Sequence, residues 1–358
     1  MKRSIAFYDE QERGYAAAKA KNSHLNVDEY IDLTRRNISW TVNLKSDLQN
    51  GTSHKFNAGV IKESIYRPFT KQLIYFDKPF IERPGLTAKF FPTPEKKNLV
   101  ICVSAPGGTK ELTPLICDCI PDLHFNGDTQ AFPLYYYEER DKANRSLFDA
   151  NKKTEYVRRD GVSDWILGRA QTVYGKRVSK EDIFYYVYGL LHSAQYRLLF
   201  ANDLKKMLPR LPLLEVKEFW EYSKAGRKLA DLHLNYESVP PYDGAQVEGE
   251  ISGFFTVEKM RFPQKGQKHT IHFNHRITVS QIPDAAYEYV VNGKSAIEWI
   301  MERYQVKVDK DSGLKNDPND WAQENGNPRY ILDLLLSVIN VSVQTVAIVN
   351  ALPQVKFE

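Results

Sequence analysis

The stretch SKEDIFYYVYGLLHSA, residues 179–194, carries the clearest structural signal in the chain. Ser179 and Asp182 have the spacing of a capping box, which begins a helix. Apolar residues then recur with the period of about 3.6 that marks one helix face. They are Ile183, Phe184, Val187, Leu190, Leu191 and Ala194. The pattern predicts an amphipathic helix that begins after Ser179 and packs against a core.

Two more helices are expected after this one. Residues 196–207 have a helical composition and stop before Pro209, which cannot continue a helix. Residues 216–234 place Phe219, Trp220 and Leu229 at helical spacing, and Pro240 and Pro241 end the unit. The helical segment therefore spans about 179–236.

The flanking segments are typical of strands. Residues 98–104, NLVICVS, are mostly apolar and β-branched, as in a strand buried on both faces. Further strands are expected over residues 72–76, 115–120, 132–137 and 277–282, with a hairpin over 254–262 and 269–274. Helical patterns return at 296–304 and 330–349, separated by a polar loop over 309–327. This arrangement predicts an α+β (mixed α/β) fold, β-rich with inserted and C-terminal helical segments.

Two segments have little periodic pattern. Residues 1–57 are polar, with one short helix expected over 28–36, and they are typical of a connector or of the tail of a longer polypeptide. Residues 140–160 are charged and are interpreted as a second connector.

Composition limits the classes of function. The 358 residues are 42% hydrophobic and 26% charged, as in a globular chain. A formal charge of +4 permits nucleic-acid binding without arguing for it. No run approaches the roughly 18 apolar residues of a membrane span, so no membrane association is expected. The cysteines, Cys102, Cys117 and Cys119, have no metal-type spacing, which indicates a reducing, cytoplasmic setting.

Motifs for catalysis are missing from the sequence. It contains no P-loop, dinucleotide-binding, zinc-protease or nucleophile-elbow pattern. Residues 316–319, NDPN, depart from the Asn/Asp-Pro-Pro-aromatic loop of amino-methyltransferases and are interpreted as a turn. Glu258 and Lys259 give only a weak hint of a nuclease core. We therefore predict no catalytic residue, no metal site and no cofactor in this chain, and a binding role.

Five ordered segments resemble the C-terminal specificity region of the Type ISP restriction–modification enzymes. They are IKESIYRPFTKQLIYF (61–76), PDLHFNGDTQAFPLYYY (121–137), EDIFYYVYGLLHSAQYRLLFANDLKKMLP (181–209), FWEYSKAGRKLADLHLNY (219–236) and YEYVVNGKSAIEWIMERYQVKVDKDSGLKNDP (287–318). The resemblance implies a target-recognition domain that reads double-stranded DNA. It further implies a single polypeptide with a nuclease, an ATP-driven translocase and an adenine-N6 methyltransferase, which acts in phage defence.

The same resemblance implies a division of the chain and a set of partners. Residues 1–57 would join an upstream methyltransferase module, and residues 58–358 would form the recognition domain. The partners would be duplex DNA and the methyltransferase and translocase modules. The full-length enzyme would use S-adenosylmethionine, ATP and Mg, none of them bound by this chain.

Polar loops and basic side chains are the candidate contacts with DNA, because phosphate contacts set the register and a few side chains read bases. The base-reading candidates are Asn126, Asp128, Thr129, Gln130, Lys315 and Asn316. The phosphate-contact candidates are Arg67, Lys71, Lys110, Arg227, Lys228, Lys307 and Lys310. Each group also has an alternative interpretation without DNA contact. Its residues would then form a turn, a solvated surface or a surface loop.

Two other classes of function also stay open. The chain would be a divergent metal-dependent nuclease if Glu258, Lys259 and nearby acidic residues formed a site. It would be a protein-interaction scaffold if helices such as residues 216–234 docked onto a methyltransferase.

Overall fold

The computed structural model describes residues 1–82, 85–107, 111–140 and 156–356. The helices are α1 (Lys2–Lys21), α2 (Val27–Tyr30), α3 (Val42–Gln49), α4 (Thr87–Phe90), α5 (Asp164–Tyr174), α6 (Lys180–His192), α7 (Ala194–Leu199), α8 (Ala201–Leu204), α9 (Val216–Leu234), α10 (Ala285–Glu288), α11 (Ala296–Arg303), α12 (Pro318–Glu324) and α13 (Tyr330–Asn350). The strands are β1 (Ile61–Arg67), β2 (Thr70–Tyr75), β3 (Val100–Ser104), β4 (Leu115–Cys117), β5 (Ile120–Pro121), β6 (Thr129–Pro133), β7 (Tyr135–Glu139), β8 (Tyr156–Asp160), β9 (Gln246–Glu248), β10 (Ile271–His272), β11 (Thr278–Ser280), β12 (Val290–Val291), β13 (Lys294–Ser295), β14 (Lys307–Val308) and β15 (Lys315–Asn316). Helices combined with several small sheets confirm the α+β expectation.

Strand β3 lies between two hydrophobic cores. It pairs antiparallel with β4 on one side and β6 on the other. Val100 and Cys102 face the larger core, while Ile101 and Val103 face the smaller, because alternate side chains of a strand point to opposite faces. The expected burial of this strand on both faces is confirmed.

The smaller core is built around the crossing of α6 and α9. Ser179 and Asp182 form the expected capping box, and α9 has the expected bounds. The two helices approach so closely that a Cβ atom added to Gly226 would lie 1.9 Å from the carbonyl oxygen of Tyr185. Glycine is therefore needed at this crossing.

The larger core surrounds α13. Ile331, Leu335 and Ile339 are buried in it, and the small sheet β9–β11–β10 packs nearby. At 21 residues, α13 is long and apolar enough to cross a membrane, contrary to the expectation that no such run exists. It is apolar on most sides because the protein's own core surrounds it, which is the usual reason for such a helix.

Residues 1–57 contain more helix than expected. Helix α1 is missing from the sequence-based prediction, and the helix expected over 28–36 already ends at Tyr30. Tyr8 and Leu44 are fully buried between α1 and α3. The hydrophobic periodicity of this segment is weak because α1 buries only Ile5, Tyr8 and Tyr15. The boundary at residue 57 stays a prediction.

Other differences arise where short elements give too few residues for a periodic pattern. Helix α5 was not expected. The strands expected over 115–120 and 132–137 each divide into two, and β7 pairs with β8, inside the expected connector. The helix expected over 196–207 divides into α7 and α8. In place of a strand over 254–262 only Arg261 forms a bridge, to His272, and the expected loop over 309–327 contains β15 and α12.

Candidate DNA interface

The polar segment 122–128 follows β5. Its first residue, Asp122, is fixed by hydrogen bonds to β1. The carboxylate of Asp122 accepts from the Arg67 guanidinium at 2.6 Å, and the Asp122 amide donates to the carbonyl of Ile65 at 3.0 Å. The Arg67 guanidinium also lies 3.9 Å from the ring centroid of Tyr66. Because the Arg67 side chain is only 17% exposed, it orders this segment and offers little surface to a phosphate.

Two of the base-reading candidates in this region have structural roles. Asn126 is fully buried, and its amide donates to the backbone carbonyls of Cys102 and Thr113. The Thr129 hydroxyl accepts from the backbone N–H of Asn126 at 2.9 Å. A buried and fully bonded amide cannot reach a base edge, so the expectation for Asn126 is corrected to a structural role.

The other two candidates are exposed. The Asp128 side chain is 77% exposed and lies 3.4 Å from Nδ1 of His124. Thr129 and Gln130 belong to strand β6 and not to the expected loop, and Gln130 pairs with Val103 at the edge of its sheet. Gln130 points to the same side as Phe132, which is 42% exposed. Asp128 and Gln130 stay candidates.

Lys71 is committed to ion pairs within the protein. Its ammonium lies 3.0 Å from Glu237 and 3.6 Å from Glu63, and its side chain is 24% exposed. Burial alone would lower the pKa of Lys71, but the charge of Glu237 outweighs it and the pKa is raised. Lys71 is thus protonated, and its positive charge is balanced by the carboxylates of Glu237 and Glu63. This pairing makes a contact with a DNA phosphate less favourable.

The basic patch on α9 is partly engaged. Arg227 pairs with Asp182 at 2.7 Å and lies over the ring of Tyr185, with 42% of its side chain exposed. Lys228 is exposed and makes no ion pair with any described residue. Lys110 lies outside the described residues.

The third candidate group forms a two-stranded antiparallel hairpin, residues 307–316, which we call the hairpin ribbon. Lys307 pairs with Asn316 and Val308 with Lys315, so Lys307 and Asn316 share one face. All four residues are exposed. Lys315 lies 2.8 Å from Asp317, the N-cap of α12, so residues 316–319 form a helix start instead of the expected turn.

Of the three lysines in the hairpin ribbon, Lys315 is paired with an acidic residue. The hydrogen bond from Lys315 lowers the pKa of Asp317, although burial opposes the shift, and Asp317 in turn raises the pKa of Lys315. Lys307 and Lys310 have no ion pair within the described part of the chain. The ribbon therefore joins two cations that have no ion pair among the described residues to the exposed amide of Asn316, which stays a base-reading candidate. A two-stranded ribbon also has a width that fits the major groove.

A second basic segment adjoins the ribbon and was missed by sequence reasoning. The amide of Val306 donates to the carbonyl of Glu258 at 2.9 Å, which brings residues 257–261 against the base of the ribbon. Lys259 and Arg261 are exposed there, without ion pairs to described residues. The signal was available, because residues 258–276 contain five basic side chains (Lys259, Arg261, Lys265, Lys268 and Arg276) and one acidic (Glu258).

The structure lends no support to a nuclease centre at Glu258 and Lys259. Within the described ranges, Glu63, Asp118 and Cys119 are the one group whose ligand atoms all lie within 4.8 Å of one another. Burial raises the pKa of Cys119, which keeps it a thiol, and the Lys71 ammonium already neutralises Glu63. A protonated thiol is a poor metal ligand.

Comparison with solved structures gives chain-long matches. The chain is similar to the ATP-dependent Type ISP restriction–modification enzyme LlaBIII bound to DNA, with a TM-score of 0.84 and 36% identity over 100% of this chain and 22% of that one. It is similar to a nuclease-deletion mutant of the Type ISP enzyme LlaGI in complex with a DNA substrate mimic, with a TM-score of 0.83 and 38% identity over 100% of this chain and 31% of that one. The cryo-EM structure of the DrdV–DNA complex matches with a TM-score of 0.80 and 27% identity over 99% of this chain and 33% of that one.

These matches include nearly all of this chain but only a part of each solved chain. The chain spans between 22% and 33% of the length of the three solved chains. No curated protein sequence matches it. The family described as the Type ISP C-terminal specificity domain matches residues 1–334, which confirms the resemblance first seen in five sequence segments. The chain belongs to the family of Type ISP C-terminal specificity domains.

Proposed function

We propose that this chain recognises a specific sequence in double-stranded DNA on behalf of a single-polypeptide restriction–modification enzyme. The observation that carries the proposal is its chain-long similarity to Type ISP enzymes in complexes with DNA. Other modules would perform adenine-N6 methylation and restriction, using S-adenosylmethionine, ATP and Mg. A base-modifying enzyme must extrude its target base, so a separate surface has to hold and read the duplex beside it.

The hairpin ribbon and the adjoining segment supply the elements that such a surface needs. Lys307, Lys310 and Lys259 are exposed cations without ion pairs in the described chain, suited to phosphate contacts that set the register. Asn316 lies beside Lys307 and can pair with an adenine edge. Gln130 and Asp128 are further readers, because both are exposed.

Selection from a randomised duplex pool tests this proposal. The full chain would be incubated with the pool at low salt, and bound duplexes would be recovered and sequenced over several rounds. We expect enrichment of one short motif, since each good bidentate contact contributes about 1–3 kcal/mol of discrimination. Recovery of random sequence, at an affinity independent of salt, would contradict both sequence reading and phosphate contact.

The two other classes of function are distinguished by the same material. Cleavage of plain duplex in Mg²⁺ would favour the nuclease, although no carboxylate cluster near Glu258 supports it among the described residues. Tight binding to a methyltransferase chain without any binding to DNA would favour the scaffold. Location in the cytoplasm stays a prediction based on the free cysteines.

A further inference from the structure

An open cavity of about 510 Å³ lies where α6 ends and α7 begins. The second half of α13, the β12–β13 hairpin and residues 111–114 form its other walls. Asn126 fixes the last of these walls through the Thr113 carbonyl, and the backbone N–H of Asn292 donates to the Thr113 hydroxyl at 3.2 Å. The volume falls within the range of about 300–1,000 Å³ that is usual for small-molecule sites.

Three lining residues carry a buried polar atom that has no hydrogen-bond partner among the described residues. The atoms are Nε2 of His192, Nε of Arg197 and the hydroxyl of Tyr289. His192 and Tyr289 are only 4% and 6% exposed. Buried polar groups in proteins are nearly always bonded, so three such atoms in residues that line one cavity are candidates for polar contacts with a ligand.

The protonation of these groups determines whether each can donate or accept a hydrogen bond. The Nδ1 atom of His192 donates to the carbonyl of Tyr188 at 2.9 Å, since a carbonyl can only accept. Burial lowers the pKa of His192 to about 3, so the ring is neutral and its Nε2 is an acceptor. The Nε–H of Arg197 can only donate, whereas the hydroxyl of Tyr289 can donate or accept.

The charges and apolar groups of the lining narrow the class of ligand. Arg197 provides a cation, and the exposed Glu111 and Glu288 provide two carboxylates. Such carboxylates repel a polyanion, so this cavity does not suit a DNA backbone. Val346 and Val349 add an apolar wall. The complementary ligand has a carboxylate, an ammonium group and an apolar tail.

We propose that this cavity binds a small apolar α-amino acid. The carboxylate accepts from Arg197 and Tyr289, the ammonium group donates to His192 and is attracted by the two glutamates, and the side chain packs against the valines. The proposal does not depend on DNA recognition, and its test uses no DNA.

Titration calorimetry of the full chain with three matched probes tests the site. The probes are L-leucine, 4-methylpentanoate, which lacks the amine, and isopentylamine, which lacks the carboxylate. We expect saturable binding of L-leucine and at least tenfold weaker binding of both analogues, because each loses its charged hydrogen bonds. Failure of L-leucine to bind, or equal binding of either analogue, would overturn the proposal.

A pair of variants separates the site from the surrounding fold. Tyr289→Phe removes a hydroxyl that has no partner among the described residues, so the fold is kept while binding of L-leucine weakens by about tenfold. Tyr287→Phe removes a hydroxyl that donates to the Lys268 carbonyl at 2.5 Å, outside the cavity, and serves as the matched control. Equal affinities for the two variants would also overturn the proposal.

Discussion

Asn126 and Gln130 lie close together in the same polar stretch, but their surroundings differ completely. Asn126 is fully buried and donates to two backbone carbonyls, whereas Gln130 is exposed at the edge of a sheet. Composition alone gives both residues the same expectation. Burial depends on the pairing of β6 with β3 and on the fold of residues 111–114, which no local pattern contains. The role of each side chain could therefore not be predicted from the sequence.

Substitution of these two residues should have opposite effects. We expect Asn126→Ala to lower the free energy of unfolding by about 1–3 kcal/mol, because buried carbonyls lose their donor. We expect Gln130→Ala to change stability by less than about 0.5 kcal/mol. Urea unfolding measures both values. Equal, small effects would show that Asn126 does not hold the cavity wall.

The buried histidines give the protein a pH dependence. Burial lowers the pKa of His192 from 6.5 to about 3 and holds that of His233 well below its usual value. Each ring is then neutral in the folded chain but takes up a proton on unfolding below pH 6.5. The contribution of His192 to stability should be fully present above pH 6.5 and fall by about 1.4 kcal/mol per unit as the pH drops toward 3. His233 adds a loss in the same direction.

Unfolding measured between pH 7.5 and 4.5 checks this expectation. The His192→Gln variant should reduce the slope by one histidine's share, since glutamine takes up no proton in this range. A slope that is the same in the variant and the parent chain would contradict the burial of a neutral His192.

At the scale of elements, the long helices could be predicted and the small strands could not. Helices α6, α9 and α13 each supply several turns of apolar spacing, so their bounds follow from the sequence. Strands β14 and β15 have two residues each, too few for an alternating pattern. Their pairing converts an expected loop into the hairpin ribbon, which is the main feature of the candidate site that only the structure gives.

The close crossing of α6 and α9 predicts that no residue larger than glycine fits at position 226. Gly226→Ala would place a methyl group 1.9 Å from the Tyr185 carbonyl, so we expect a loss of about 1–3 kcal/mol or more in unfolding free energy. Gly168→Ala in α5 meets no atom within 4 Å and should stabilise the chain by about 0.5–1 kcal/mol. Thermal unfolding compares the pair, and a neutral Gly226→Ala would argue against the crossing.

The hairpin ribbon should act in DNA binding through two separable effects. We expect Lys307→Ala to weaken binding to all sequences alike and to reduce the salt slope of the binding constant by about one unit. We expect Asn316→Ala to relax the preference at one base pair, at a cost of about 1–3 kcal/mol in discrimination. Fluorescence anisotropy over a range of salt concentrations measures both effects.

A matched control keeps this result specific to the ribbon. Lys176 is an exposed lysine outside both basic segments, so Lys176→Ala should leave the salt slope unchanged. Equal slopes for Lys307→Ala and Lys176→Ala would remove the ribbon from the interface.

At the scale of the whole molecule, the proposed function assigns DNA recognition to this chain and the chemistry to other modules. The three solved structures match 99–100% of this chain, but the chain spans at most 33% of any of them. Strand β3 is buried between the two cores, and we expect this packing to hold the candidate reading surface in place. Such a unit should carry its sequence preference with it when it is moved into another protein of the family.

Exchange of the specificity domain is the most direct measurement of this property. The corresponding segment of a Type ISP enzyme with a known target would be replaced by residues 1–358, and the methylated adenines would be mapped across a genome by sequencing. We expect methylation at one new motif, the same motif that selection from the duplex pool enriches. An active chimera that still methylates the parent enzyme's motif would contradict the claim that this chain reads the DNA sequence.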